Sequence, residues 1–138
     1  MKLKHIISTL ALLAATGLAQ AGDVVVIVNK ANDNSVDKAL VAKIYTGESK
    51  VWGNGGSISA IDLSDDNPGR ASFANDFIGK SPGSLKSLWT QNVFTGKAVP
   101  PKSMASDEDV KKAVAANKGA IGYIKASSAD DTVKVILK

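Results

Sequence analysis

Cysteine is absent from the 138 residues, and His5 is the only histidine. The first absence excludes disulfides, zinc ribbons, cysteine-ligated iron–sulfur clusters and thiol nucleophiles. Proline is scarce, with 4 residues against 12 glycines, and 44% of the chain is hydrophobic, so a disordered or fibrous chain is excluded as well. Nor is there an apolar run long enough for a permanent membrane anchor: the longest, Ile6 to Leu18, falls short of the ~20 residues that a bilayer core requires.

That apolar run follows Lys2 and Lys4 and closes on Ala19-Gln20-Ala21, the layout of a secretory signal peptide over residues 1–21, cleaved after Ala21. No cysteine follows to carry a lipid. Cleavage takes Lys2 and Lys4 from the 17 basic residues and none of the 13 acidic ones, so the formal charge falls from +4 to +2. A charge of that size gives no basis for nucleic-acid binding. His5 leaves with the leader, and the mature chain then has neither histidine nor cysteine. Ser-His-Asp and Cys-His catalysis and histidine-bearing zinc sites are excluded with them. Asp62, Asp65 and Asp66 do not follow the calcium-loop pattern, so no metal site and no cofactor is expected.

Residues 22–138 read as one domain. Val24 to Val28 is an unbroken β-branched run suited to a strand covered on both faces. A helix capped by Ser35 follows, with Val36, Ala39, Leu40 and Ile44 at helical spacing and Gly47 as its stop. Trp52 to Gly56 is a turn, and Ser57 to Leu63 a second strand. Asn67-Pro68 and Ser81-Pro82 each place a capping side chain before a proline at the first helical position. The first of these helices is apolar at Phe73, Ala74, Phe77 and Ile78; the second turns Leu85, Leu88, Trp89 and Val93 inward. Pro100-Pro101 forces an extended linker. Ser106 then caps a helix with Asp107, Glu108 and Asp109 in its first turn and Gly119 at its close. Strands Ala120 to Lys125 and Thr132 to Leu137 finish the chain, the last of them at a sheet edge. The order β-α-β-α-α-α-β-β predicts an α/β, single-domain sandwich with a mixed β-sheet flanked by helices.

Chemistry is expected where the second strand ends and a helix begins, the place where open α/β sheets bind ligands. Arg70, the only arginine, lies in that helix's first turn. A cation is mildly unfavourable there. An oxyanion held between its planar fork and free backbone N–H groups of Gly69, Arg70 and Ala71 reverses the sign. The candidate ligand set is Ser64, Asp65, Asn67, Gly69, Arg70, Ala71 and Ser72. The plainer alternative pairs Arg70 with Asp65 or Asp66 and makes the loop a capped turn. Trp52, Trp89, Phe94 and Tyr123 read as core aromatics. No set of residues reads as catalytic, so an enzyme is not expected.

Ile44-Tyr45-Thr46-Gly47, Trp52-Gly53-Asn54-Gly55-Gly56, Arg70-x-x-Phe73, Leu88-Trp89, Phe94-Thr95-Gly96-Lys97, Pro100-Pro101 and Gly119-Ala120-Ile121-Gly122-Tyr123-Ile124 come in an order that resembles the phosphate ABC transporter substrate-binding proteins. The likeness is to short, single-domain members of this type II periplasmic-binding-protein group. It implies a fold like one lobe of such a protein, a periplasmic location and phosphate held by helix N-termini, hydroxyls and an arginine. The family loop resembles Arg-Ser-Asp-x-Ser-Gly-Thr; the run Leu63 to Arg70 is one residue longer, and with that insertion Ser64, Asp65 and Gly69 match it, while Leu63 stands at its arginine and Arg70 at its threonine. The implied role is binding of phosphate or a similar oxyanion, linked to phosphate uptake, with an ABC transporter membrane complex or another envelope protein as partner. The alternative is a periplasmic protein-interaction module that keeps the fold without high-affinity small-ligand binding. A homodimer is left open.

Overall fold

Val24–Val28 forms β1, and all five of its residues are buried, as an uninterrupted β-branched run requires. The computed structural model describes residues 23–138; the expected signal peptide lies outside the described residues. β1 is followed by α1 (Lys38–Tyr45), β2 (Ser59–Leu63), α2 (Pro68–Phe73) and a π-helical turn over Ala74–Ile78. Next come α3 (Pro82–Phe94), β3 (Lys102–Met104), α4 (Asp107–Ala116), β4 (Ala120–Lys125), a 3-10 turn over Ala126–Ser128 and β5 (Lys134–Leu137).

The sheet has the order β3-β2-β4-β1-β5. β2 runs parallel to both β3 and β4, whereas β1 is antiparallel to β4 and to β5, so the sheet is mixed as expected. β5 lies at one edge, also as expected. The other edge belongs to β3, which the sequence disguises. Pro100-Pro101 reads as a linker because proline cannot donate to a ladder, yet the chain it extends runs straight into a short edge strand, where a lost donor costs least.

Local chemistry sets the helix starts. Asn67 accepts from Gly69 N–H at 2.9 Å, Ser81 from Ser84 N–H at 3.1 Å and Ser106 from Asp109 N–H at 3.2 Å. At α1 the cap is Asp37, whose carboxylate accepts from Leu40 N–H at 2.8 Å, and not Ser35. The buried face also differs from the expected one: Val41, Ile44 and Tyr45 face the core, and Ala39 is exposed. α4 ends at Asn117 and not at Gly119. In α3, Leu85 is buried and Leu88 and Trp89 are half-buried, but Val93 is 54% exposed. Its place is taken by Asn92, whose amide donates to the Thr46 carbonyl at 3.0 Å and ties α3 to the end of α1.

The core lies between the sheet and the helices: Val26, Ile27, Val41, Val110, Val114, Ile121 and Ile124 are all without exposure. Gly119 meets the chain just before β2 so closely that a Cβ there would collide with the Ser57 carbonyl oxygen. Its own carbonyl accepts from Ser59 N–H at 2.9 Å and from the Trp52 indole at 3.1 Å. Gly119→Ala is therefore expected to push two hydrogen-bonded backbones apart and to cost about 1–3 kcal/mol. Urea denaturation of the variant measures this; an unchanged midpoint would show that the approach is softer than it looks.

Candidate functional site

The loop joining β2 to α2 is built from its own polar atoms. Ser64 N–H continues the ladder to the Met104 carbonyl at 2.9 Å, and Asn67 N–H closes a turn on the Ser64 carbonyl at 2.9 Å. The Ser64 hydroxyl donates to Asp66 at 2.7 Å, and the Ser72 hydroxyl points back to the Pro68 carbonyl at 3.4 Å. Gly69 is buried against Leu63, where a Cβ would lie 3.1 Å from Cδ1. Ala71 is half-buried one residue beyond Arg70.

Arg70 is the centre of this loop. Its Nε lies 3.5 Å from Asp62 Oδ2 and its Nη1 3.2 Å from Asp65 Oδ1, with the side chain only 12% exposed. Asp65 also meets Lys86 of α3 at 3.5 Å. The structure thus brings Arg70 and Asp65 together, as the plainer alternative required. It adds two residues that the sequence reading did not select, Asp62 and Lys86. Asp62 carried a usable signal: a carboxylate inside a strand covered on both faces must find a charged or hydrogen-bonding partner.

Behind Asp62 stands a second layer. The Tyr123 hydroxyl donates to Asp62 Oδ1 in a very short hydrogen bond, and Leu63 N–H donates both to Asp62 Oδ1 at 2.9 Å and to the Tyr123 oxygen at 3.2 Å. Tyr123 stacks on Phe73 with ring centroids 3.8 Å apart, and Tyr45 meets Phe73 edge-on at 4.7 Å. The Tyr45 hydroxyl donates to the carbonyls of Ile61 at 2.7 Å and Ile121 at 3.2 Å. Burial first, and then the neighbouring Asp62 charge, push both phenols well above the usual tyrosine range. Both therefore remain neutral donors.

The N–H groups expected to be free are partly engaged. Gly69 N–H is taken by the Asn67 cap and Arg70 N–H by the Asn67 carbonyl at 3.0 Å, because a helix start that caps itself satisfies its own first donors. The guanidinium keeps N–H groups that are not committed to the two carboxylates, whereas the hydroxyls of Ser64 and Ser72 are donated to Asp66 and to the Pro68 carbonyl. Of its two carboxylate partners, Asp65 is exposed and Asp62 is buried. Among the described residues no group of acidic side chains is arranged to hold a metal ion, and no helix is long and apolar enough to cross a membrane.

The mixed five-stranded sheet, with the loop that follows β2 leading to Arg70, matches part of a periplasmic-binding-protein lobe in solved structures. A family model described as PBP superfamily domain matches residues 11–136, and the chain belongs to that family. Among solved structures it is similar to an ABC-type phosphate transport receptor from Vibrio cholerae, with a TM-score of 0.63 and 21% identity over 83% of this chain and 45% of that one. A Clostridium perfringens protein assigned as a phosphate ABC transporter substrate-binding protein, with bound phosphate, matches with a TM-score of 0.67 and 23% identity over 83% and 44%. PstS from Borrelia burgdorferi matches with 0.65 and 15% over 83% and 46%. The chain thus spans less than half the length of these proteins. No curated protein matches it.

Proposed function

We propose that this protein is an exported, non-catalytic solute-binding protein, freed of its leader after Ala21, that takes phosphate or a similar oxyanion at the β2–α2 loop and serves phosphate uptake from the periplasm. The observation that carries this reading is Arg70: a lone arginine at the C-terminal end of a parallel strand, oriented from behind by a buried carboxylate and from in front by an exposed one. The rear contact fixes the fork, and the front contact is one that an oxyanion of higher charge density can replace. Ser64, Asn67, Ser72 and the chain around Gly69 and Ala71 complete the candidate site, with Asp65 as the group displaced. Membership of a solute-binding superfamily and likeness in fold to phosphate receptors support the choice of anion.

The test is a thermal shift with phosphate, against sulfate and chloride at matched ionic strength. Ligand at about 100 times its dissociation constant stabilises by about 2.7 kcal/mol, several degrees for a domain of this size. Arg70→Lys, which keeps the charge and loses the planar fork, is expected to remove most of the phosphate-selective rise. Arg70→Ala is a poorer probe, since it strips Asp62 of its cation and weakens the fold itself. Equal shifts with all three anions would reject a phosphate site.

A further inference from the structure

A groove of about 1060 Å³ opens between α3, the 96–101 segment and β2, and none of the residues 64–72 lines it. It arises where the sheet edge is interrupted. On the side of β2 away from β4, Val51 bridges Ser57 and Lys102 pairs with Ile61, and the ladder lapses between them. The floor is apolar, with Ile44, Ile58 and Trp89. The charged side chains that line it are Lys50, Lys97 and Lys102, and no carboxylate does. Lys50 reaches across to donate to the Lys97 carbonyl at 2.6 Å, which fixes its ammonium against the 96–101 segment.

The apolar surface continues outside the groove. Val93 and Val99, on its walls, are 54% and 87% exposed, and Phe94, at the end of α3, is 89% exposed. Exposed side chains of this size, two of them lining the groove and Phe94 next in the chain to one of those, mark an interaction site. A small ligand lying in the groove would leave Phe94 bare, and a flat lipid surface would leave the groove unfilled. A protein segment can fill the one and cover the other. The lysine rim selects the sign of its charge. We infer that this groove docks a segment of a partner protein that combines apolar side chains with carboxylates. The inference is independent of anion binding at Arg70.

Selection of a random short-peptide display library on the purified protein tests it. Enriched peptides are expected to combine apolar residues with Asp or Glu. Their affinity is expected to fall about tenfold or more both in Lys50→Glu/Lys97→Glu and in Phe94→Ser/Val99→Ser. The unfolding midpoint should stay unchanged in the second variant, because both side chains are exposed. Absence of enrichment, selected peptides without an acidic bias, or affinities indifferent to both double substitutions would overturn the proposal. So would a dimer in sedimentation equilibrium that Phe94→Ser/Val99→Ser dissolves, which assigns the surface to a second copy. Binding to phosphatidylglycerol vesicles that the same variant abolishes would assign it to the membrane instead.

Discussion

Stability is expected to fall steeply in alkali, by roughly 3 kcal/mol at pH about 11 and roughly 5 kcal/mol at pH about 12 relative to neutral pH. The cause is the buried pair Tyr45 and Tyr123, both pushed upward by burial and then by the charge of Asp62. In the unfolded chain each phenol ionises near its ordinary value of 10.0, while in the folded chain it keeps its proton. Above that value the unfolded state binds fewer protons than the native one, so the free energy of unfolding declines with pH at about 1.4 kcal/mol per unit for each tyrosine. The contribution is thus fully present below pH about 10 and is lost as pH rises. Lys111, raised by its hydrogen bonds to Asp130 and Glu108, acts in the same direction. Urea midpoints followed by circular dichroism across this range should show the decline, and Tyr45→Phe with Tyr123→Phe should flatten it. Native tyrosines that titrate at the ordinary value, with level midpoints, would remove the argument.

Asp62→Ala is expected to cost about 2–4 kcal/mol, the largest effect of any single substitution at the candidate site. The side chain is 12% exposed and is held at once by Arg70, the Tyr123 hydroxyl and Leu63 N–H. Its removal orphans a buried phenol and leaves Arg70 with Asp65 alone, an exposed partner of little energetic weight. Asp62→Asn should cost less, because its amide oxygen can still accept from Tyr123. The functional consequence follows from the same contacts. A guanidinium released from Asp62 regains rotational freedom, so phosphate-dependent stabilisation should weaken even in Asp62→Asn, where the fold survives. Equilibrium urea unfolding and the phosphate thermal shift on the two variants separate these effects. A loss below about 1 kcal/mol in Asp62→Ala would show that solvent already screens the pair.

Some of this architecture was legible because the chemistry is local. Asn67-Pro68, Ser81-Pro82 and Ser106 start helices through hydrogen bonds that span two or three residues, and each was readable without knowledge of the rest of the chain. The β-branched run of β1 and the bounds of β4 were legible for the same reason: strand-forming residues are bounded by turn residues. Errors appeared where neighbours compete. Ser35 and Asp37 are both good caps, and the choice between them depends on which helical face the sheet accepts. Val93 is apolar and Asn92 polar, yet it is Asn92 that is buried, because the Thr46 carbonyl requires a donor. Lys102–Met104 is too short and too polar to announce a strand; it becomes one because β2 offers it an edge.

The sequence by itself determined the α/β class, the starts of α2, α3 and α4 and the loop that leads to Arg70, since propensity, capping and turn chemistry act over a few residues. Only the tertiary structure decided that Arg70 leans on Asp62 and Asp65, that Tyr123 braces Asp62 from another strand, and that a lysine-rimmed groove opens beside β2. Those contacts join residues up to 61 positions apart in the chain. Such contacts depend on sheet register and on close packing of helices against the sheet, which no local pattern of residues encodes.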